Sequence, residues 1–322
     1  MTNKFKLQLV LLTLIIIAIA GCTKEPHMPF RIATNPWTGY EPLYLAREMG
    51  YFNKTSIKLV EYTSASESMR SFRNGTIDAV ALTLDETLQL LATSPDITVV
   101  LIIDISHGGD AILARPEIKS IKDLKNKRVG FESTALGAYM LTRALQIAGM
   151  KSSDVKTVSI ELAEHESSFR NGRVDAVVTF EPIKTRLLAA GARQIFDSSQ
   201  IPGEVMDVLV VRSAFAKKNP ELVREIVESW FKAIEYLRNN QRPAVEVLAK
   251  RQKISSEQYL ASQRGLRYPD IIENRLMLTG DSPTLLPAAQ RLSAFMLKNR
   301  LIALAPDIRP ILNGSYLKDI RQ

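Results

Sequence analysis

Cysteine occurs once in 322 residues, at Cys22, so the rest of the chain holds no disulfide, no thiolate metal site and no cysteine nucleophile. Histidine is almost as scarce. His27, His107 and His165 lie far apart, there is no HExxH zinc motif, and the Glu164-His165-Glu166 cluster reads as the solvated first turn of a helix. The GxSxG turn of serine hydrolases, the GxxxxGK phosphate loop and the GxGxxG dinucleotide loop are also missing. These absences leave no motif that supports an enzyme, and neither a metal nor an organic cofactor is expected. Beyond residue 22 no stretch reaches 18 consecutive apolar residues, so no later segment reads as a membrane-spanning helix. What is present is an ordinary globular profile, 46% hydrophobic and 24% charged, with 42 Lys and Arg over 34 Asp and Glu for a net charge of +8.

That surplus raises nucleic acid or an anionic membrane as partners until it is located. Residues 212–268 hold 12 Lys and Arg against six Glu and no Asp, and Lys4 and Lys6 supply two more cations, so the remainder balances. The excess therefore belongs to a C-terminal helical region, which fits a solvated face near anionic lipid and argues against nucleic acid.

The N-terminus has the build of a secretory signal: Lys4 and Lys6, an apolar run from Leu7 to Ala20, then Ile19-Ala20-Gly21-Cys22. Those last four residues resemble a bacterial lipobox, in which cleavage before the cysteine leaves a thiol that takes a diacylglyceryl group. Residues 1–21 are therefore expected to be a lipoprotein signal peptide, Cys22 the lipidated residue and 22–29 a tether. Two or more acyl chains hold a protein stably on a membrane where one would not. The expected location is the periplasmic side of a bacterial membrane.

The body of the chain contains an internal repeat. SFRNGTIDAV at 71–80 and SFRNGRVDAV at 168–177 share eight of ten positions at an offset of 97 residues. Each copy follows a β-rich run, IKLVEY at 57–62 and VKTVSIE at 155–161, and before that a helical stretch ending near Gly50 or Gly149. Each unit opens with a short strand and loop, FRIATNPWTGY at 30–40 and KRVGFESTALGAY at 127–139. The order strand, helix, strand, helix, strand predicts two parallel-sheet lobes of the α/β class. A period near 97 is too long for a solenoid. ITVVLIIDISHGGDAILA at 97–114 reads as two strands about a glycine turn, and MDVLVVR at 206–212 as a returning strand. After Asn219-Pro220 the stripe Leu222, Ile226, Trp230, Ile234, Leu237 predicts a helix with Trp230 in the core.

Set out in this order, WTGYEPLYLAREMGYF, FRNGTIDAVALTLDE, DISHGGDAILARPEIKSIKDLKNKRVGFES and RVDAVVTFEP resemble the bacterial solute-binding proteins of the nitrate, taurine, aliphatic sulfonate and thiamine-pyrimidine family. The resemblance runs from about Phe30 to about Arg212. It implies a periplasmic-binding-protein fold of the second type, with two Rossmann-like lobes, a central cleft and hinge crossover strands near 110–114 and 206–211. The lobes would comprise 30–110 with 207–322, and an inserted 111–206. It further implies a monomer that captures a small molecule and delivers it to an ABC permease. Alternatively, the same closed form docks on a membrane sensor protein.

Ligands of open α/β sheets bind beyond the carboxyl ends of the strands, which selects the loops NPWTGY, ESTALGAY, LTLDE and TFEP. Trp37 and Tyr40 offer aromatic faces there. Asp85 and Glu86 end one strand and Glu181 ends its partner, held extended by Pro182; helix-start caps or ion pairs with nearby Lys and Arg are equally open to all three. Asp110 follows two glycines that permit close backbone approach. Thr134 and Leu136 lie where free N–H groups at a helix start would accept an anion. The four loops contain no Lys or Arg, however, and acid next to an anion is unfavourable. The balance predicts a ligand with amine, amidine-like or other hydrogen-bond donors, or a small heteroaromatic ring, over a bare oxyanion.

Overall fold

The computed structural model describes residues 29–133 and 135–320. The expected signal peptide, Cys22, most of the expected tether and Thr134 lie outside the described residues. Lobe one opens with β1 (Phe30–Thr34), α1 (Glu41–Glu48), β2 (Ile57–Glu61), α2 (Ala65–Arg73), β3 (Ala79–Thr83), α3 (Leu84–Leu91) and β4 (Ile97–Ser106). The chain then builds β5 (Asp110–Ala114), β6 (Arg128–Phe131), α4 (Ala135–Ile147), β7 (Lys156–Ser159), α5 (His165–Arg170), β8 (Ala176–Phe180), α6 (Ile183–Ala189) and β9 (Arg193–Asp197). It returns with β10 (Met206–Arg212) and ends in the helices α7 (Ser213–Lys218), α8 (Pro220–Asn239), α9 (Gln241–Gln252), α10 (Ser256–Gln263), α11 (Ile271–Leu278) and α12 (Leu285–Lys298), with a short β11 (Leu266–Arg267) after α10.

The strands form two sheets, in the orders β11-β4-β10-β3-β1-β2 and β7-β6-β8-β5-β9. In each, the first three strands of the repeat pair in parallel and one further strand runs antiparallel beside the third, β10 next to β3 and β5 next to β8. Leaving out β11, the two orders correspond strand for strand. The chain passes between the sheets at 107–109 and again at 198–205, immediately before the strands where the sequence places the hinges. These crossings are tied together: the Ser106 and Ser198 hydroxyls lie 2.8 Å apart, and the Gly108 N–H donates to Ser198 Oγ at 2.7 Å.

Three residues of the repeated decapeptide, Phe, Gly and Asp, have the same physical role in both copies. Phe72 and Phe169 are buried under their sheets, and Gly75 and Gly172, at φ +72° and +76°, end the two helices in the left-handed conformation that glycine adopts without penalty. Asp78 then accepts from the Arg31 N–H at 3.0 Å, and Asp175 from the Arg128 N–H at 2.8 Å. Each aspartate also pairs with the guanidinium of the same arginine, at 3.4 and 2.7 Å. The motif thus ends a helix, turns the chain and pins the next strand beside the first.

The main core lies under the first sheet, where α8 buries Leu222, Ile226, Trp230 and Ile234 as its spacing predicts. Fully burying a side chain of this kind contributes about 1.5–3 kcal/mol. The basic C-terminal helices are not uniformly solvated. Arg251 reaches from α9 to the buried Glu41 and to Glu61 and lies over the Tyr44 ring at 3.6 Å.

Candidate functional site

A cavity lies between the lobes at the carboxyl ends of the parallel strands. Lobe one lines it with Asn35, Trp37 and Tyr40 after β1, Thr83 and Glu86 at the start of α3, and Asp207 at the start of β10. Lobe two supplies Asp110, Glu132, Leu136, His165, Thr179 and Phe180. Two contacts bridge the lobes across it. The Trp37 and Phe180 rings meet edge to face at 5.5 Å, and Glu132 accepts from the backbone N–H and hydroxyl of Ser66 at 2.9 and 2.6 Å. Ser66 lies in the first turn of α2, where exposed N–H groups favour a carboxylate.

Trp37 is held from three sides. Its N–H donates to Asn35 Oδ1 at 3.1 Å, its indole Nε1 donates to Asp104 Oδ2 at 3.0 Å, and its ring presses on Gly109, where a Cβ would stand 2.7 Å away. The Tyr40 hydroxyl donates to Asp207. Asp104 and Asp207 are register partners on adjacent strands.

The cavity surroundings are dense in buried acid, with Asp85, Glu86, Asp104, Asp110, Glu132, Glu181 and Asp207 all nearly excluded from solvent. Burial pushes the Asp85 carboxyl up to about 6. Burial, with the charge of Asp110 added, pushes Asp104 to about 8, and burial, with the charges of Asp85 and Glu181 added, pushes Asp110 to about 7. Glu86 and Asp207 are driven well above the carboxylate range by burial and then by their acidic neighbours. Among the described residues, Asp85 Oδ2, Asp104 Oδ1, Asp110 Oδ2 and His165 Nε2 are buried without a hydrogen-bond partner. No group of three His, Cys, Asp or Glu is placed to hold a metal ion among the described residues.

Of the residues expected to meet a ligand, Trp37, Tyr40, Glu86, Asp110 and Leu136 line the cavity; Asp85 and Glu181 are buried beside it but do not line it. Glu181 accepts from the Thr185 N–H at 3.1 Å and faces Lys184 at 3.7 Å, the helix-start and ion-pair role open to it from sequence. Glu86 lines the cavity and also closes a capping box with Thr83.

One expectation is corrected. His165 is no solvated first-turn residue: it is 1% exposed and faces the cavity, with Nδ1 3.1 Å from Thr179 Oγ1. Burial holds its imidazole down at about 4, hence neutral. Asp207, Asp104 and Glu132 were not singled out in the sequence either. The two aspartates had a legible signal, since each interrupts an otherwise apolar strand, LIIDIS and MDVLVV.

Among known structures, the fold matches the periplasmic aliphatic sulphonate binding protein of Escherichia coli, with a TM-score of 0.73 at 20% identity over 90% of this chain and 98% of that one. It also matches a ligand-binding component of an ABC-type import system from Staphylococcus aureus, with a TM-score of 0.77 at 15% identity over 91% and 99%. The fold is therefore that of the two-lobed periplasmic binding proteins. In sequence, a taurine-binding periplasmic protein of Escherichia coli (strain K12) is 25% identical over 198 residues, 60% of this chain and 62% of that relative. The alignment thus spans under two thirds of the relative's length. The model of the NMT1-like family matches residues 23–251, a stretch that takes in every strand but β11, the two crossings and all the cavity-lining residues named above, and by that match the chain belongs to the NMT1-like family.

Proposed function

We propose that this protein is an extracytoplasmic solute-binding protein that captures a small molecule between its lobes and delivers it to an ABC importer. The observation that carries this reading is a cavity walled by both lobes at the strand ends, with two crossing segments joining them among the described residues. Such a cleft closes on a ligand because the contacts shared by both lobes exist only in the closed form, so the ligand shifts the population. Sheet membership supports lobe boundaries in the crossings at 107–109 and 198–205, at or just before the breaks expected near 110 and 206. The permease reads the closed form of a monomer tethered to the periplasmic face through lipid on Cys22. The relatives named for taurine and sulfonate support the importer class, while the acid lining the cleft supports a ligand bearing hydrogen-bond donors.

Two experiments test this. Deletion of the coding gene should abolish uptake of whichever solute the purified protein retains, and uptake that persists unchanged would refute the importer role. Cys22→Ala should move the protein from the membrane fraction to the soluble extracytoplasmic fraction; unchanged membrane attachment would refute the lipid anchor.

A further inference from the structure

We infer that the cleft selects a small planar organic cation of the amidinium or guanidinium class, with its charged nitrogens on Asp110 and Asp207, a further N–H on His165, and protons leaving the cleft as it binds. The inference rests on the reading of this cavity as a solute site.

Its first support is the use already made of the donors in the wall. Trp37 Nε1 is committed to Asp104, the Tyr40 hydroxyl to Asp207, and the Ser66 N–H and hydroxyl to Glu132. Lys184, the cation whose charge acts on Asp110, donates to the Gly108 carbonyl and faces Glu181 at 3.7 Å. An anionic ligand would therefore meet a wall rich in carboxyls and find these particular side-chain donors committed. A cation would meet the free Asp110 Oδ2, which is buried in the cavity wall with no partner among the described residues. Burying acid without a partner is costly, and a cationic ligand removes that cost.

The second support is His165. In the tautomer protonated on Nδ1, which the Thr179 hydroxyl can accept from, the neutral imidazole presents Nε2 as an acceptor, and this atom too is buried without a partner among the described residues. Lobe one and the start of β5 thus contribute carboxyls while α5 contributes a neutral acceptor, an arrangement suited to a planar group with several N–H donors pointing apart. The Trp37 and Phe180 rings bordering the cavity suit a flat cation as well.

Proton release follows from the crowding of acid. Asp110 faces Asp85, Glu181 and Lys184, while Asp104 and Asp207 stand across from it. Burial and this mutual repulsion keep carboxyls in the cluster protonated near neutral pH. A bound fixed cation favours their ionised forms, so protons leave as it enters.

The test is titration calorimetry on the full chain with methylguanidinium and benzamidine, against taurine and ethanesulfonate, in two buffers of different ionisation enthalpy. The cations should bind and the sulfonates should not. The measured heat should change with buffer in the sense of proton release, and affinity should rise by up to about tenfold per pH unit per linked proton between pH 6 and 8. Asp110→Asn, whose folding is checked by its melting temperature, should weaken cation binding at least tenfold and reduce the proton release. His165→Phe should weaken it while leaving the release intact. Failure of both cations to bind at millimolar concentration, or binding undiminished in Asp110→Asn, overturns the inference. Binding of a sulfonate in their place overturns it while leaving the solute-binding reading standing.

Discussion

Trp37 joins three parts of the site: its indole nitrogen satisfies one oxygen of Asp104, its ring edge meets Phe180 of the other lobe, and its far edge rests on the backbone of Gly109. Trp37→Phe keeps the ring contact and removes the hydrogen bond, leaving Asp104 buried with neither oxygen served by the indole. It should cost about 1–3 kcal/mol in urea unfolding at pH 8, where Asp104 ionises, and less at pH 5. Gly109→Ala should displace the indole, because its Cβ would stand 2.7 Å from the ring and 3.1 Å from the Gly265 carbonyl. Ligand affinity should fall, and the melting temperature should fall with it, since overpacking of this kind costs about 1–3 kcal/mol. At this scale the sequence was only partly legible. An aromatic residue in a loop after a strand announces itself, whereas His165 resembles any polar residue opening a helix between two glutamates. Its burial comes from Thr179 and the cavity, which are distant in sequence.

At the scale of elements, the repeat made both lobes visible before any coordinate, because its Phe, Gly and Asp each do local work that one sequence can encode. Phe72→Ala or Phe169→Ala should each cost about 3–5 kcal/mol, read from chemical unfolding, since each ring is buried beneath its own sheet. The clasp between the lobes was not legible. Glu132 sits in a loop the sequence selects, but its partner Ser66 lies 66 residues away on α2, and only the closed arrangement brings them together. Glu132→Ala leaves two donors at the start of α2 without their carboxylate and removes one of the contacts that holds the lobes together. Small-angle scattering of the ligand-free variant should show a larger radius of gyration than wild type; an identical radius would mean that the clasp does not set closure.

For the whole molecule, the acidic cleft imposes a pH dependence. Asp85, Asp110 and Asp104 have folded-state values of about 6, 7 and 8 against 3.8 in the unfolded chain, so their stabilisation is full below 3.8 and is lost as pH rises through those values. His165 runs the other way: lowered from 6.5 to about 4, it contributes stability above 6.5 that is lost as pH falls through 4. Three carboxyls outweigh one imidazole, so the ligand-free protein should melt at progressively lower temperature from about pH 5 to pH 8. Asp104→Asn should flatten the upper part of that slope. The net charge of +8 does not describe this site, because the basic surplus lies in residues 212–268 and at Lys4 and Lys6 while the acid is buried between the lobes. Capture of a solute in that cleft is tested most directly by thermal shift across sulfonates, nitrate, amines and pyrimidines, on wild type and on Trp37→Ala. A ligand at about 100 times its Kd adds roughly 2.7 kcal/mol. One class of compound should raise the melting temperature of wild type and fail to raise that of Trp37→Ala. No rise with any compound, or a rise of equal size in both proteins, would contradict capture between the lobes.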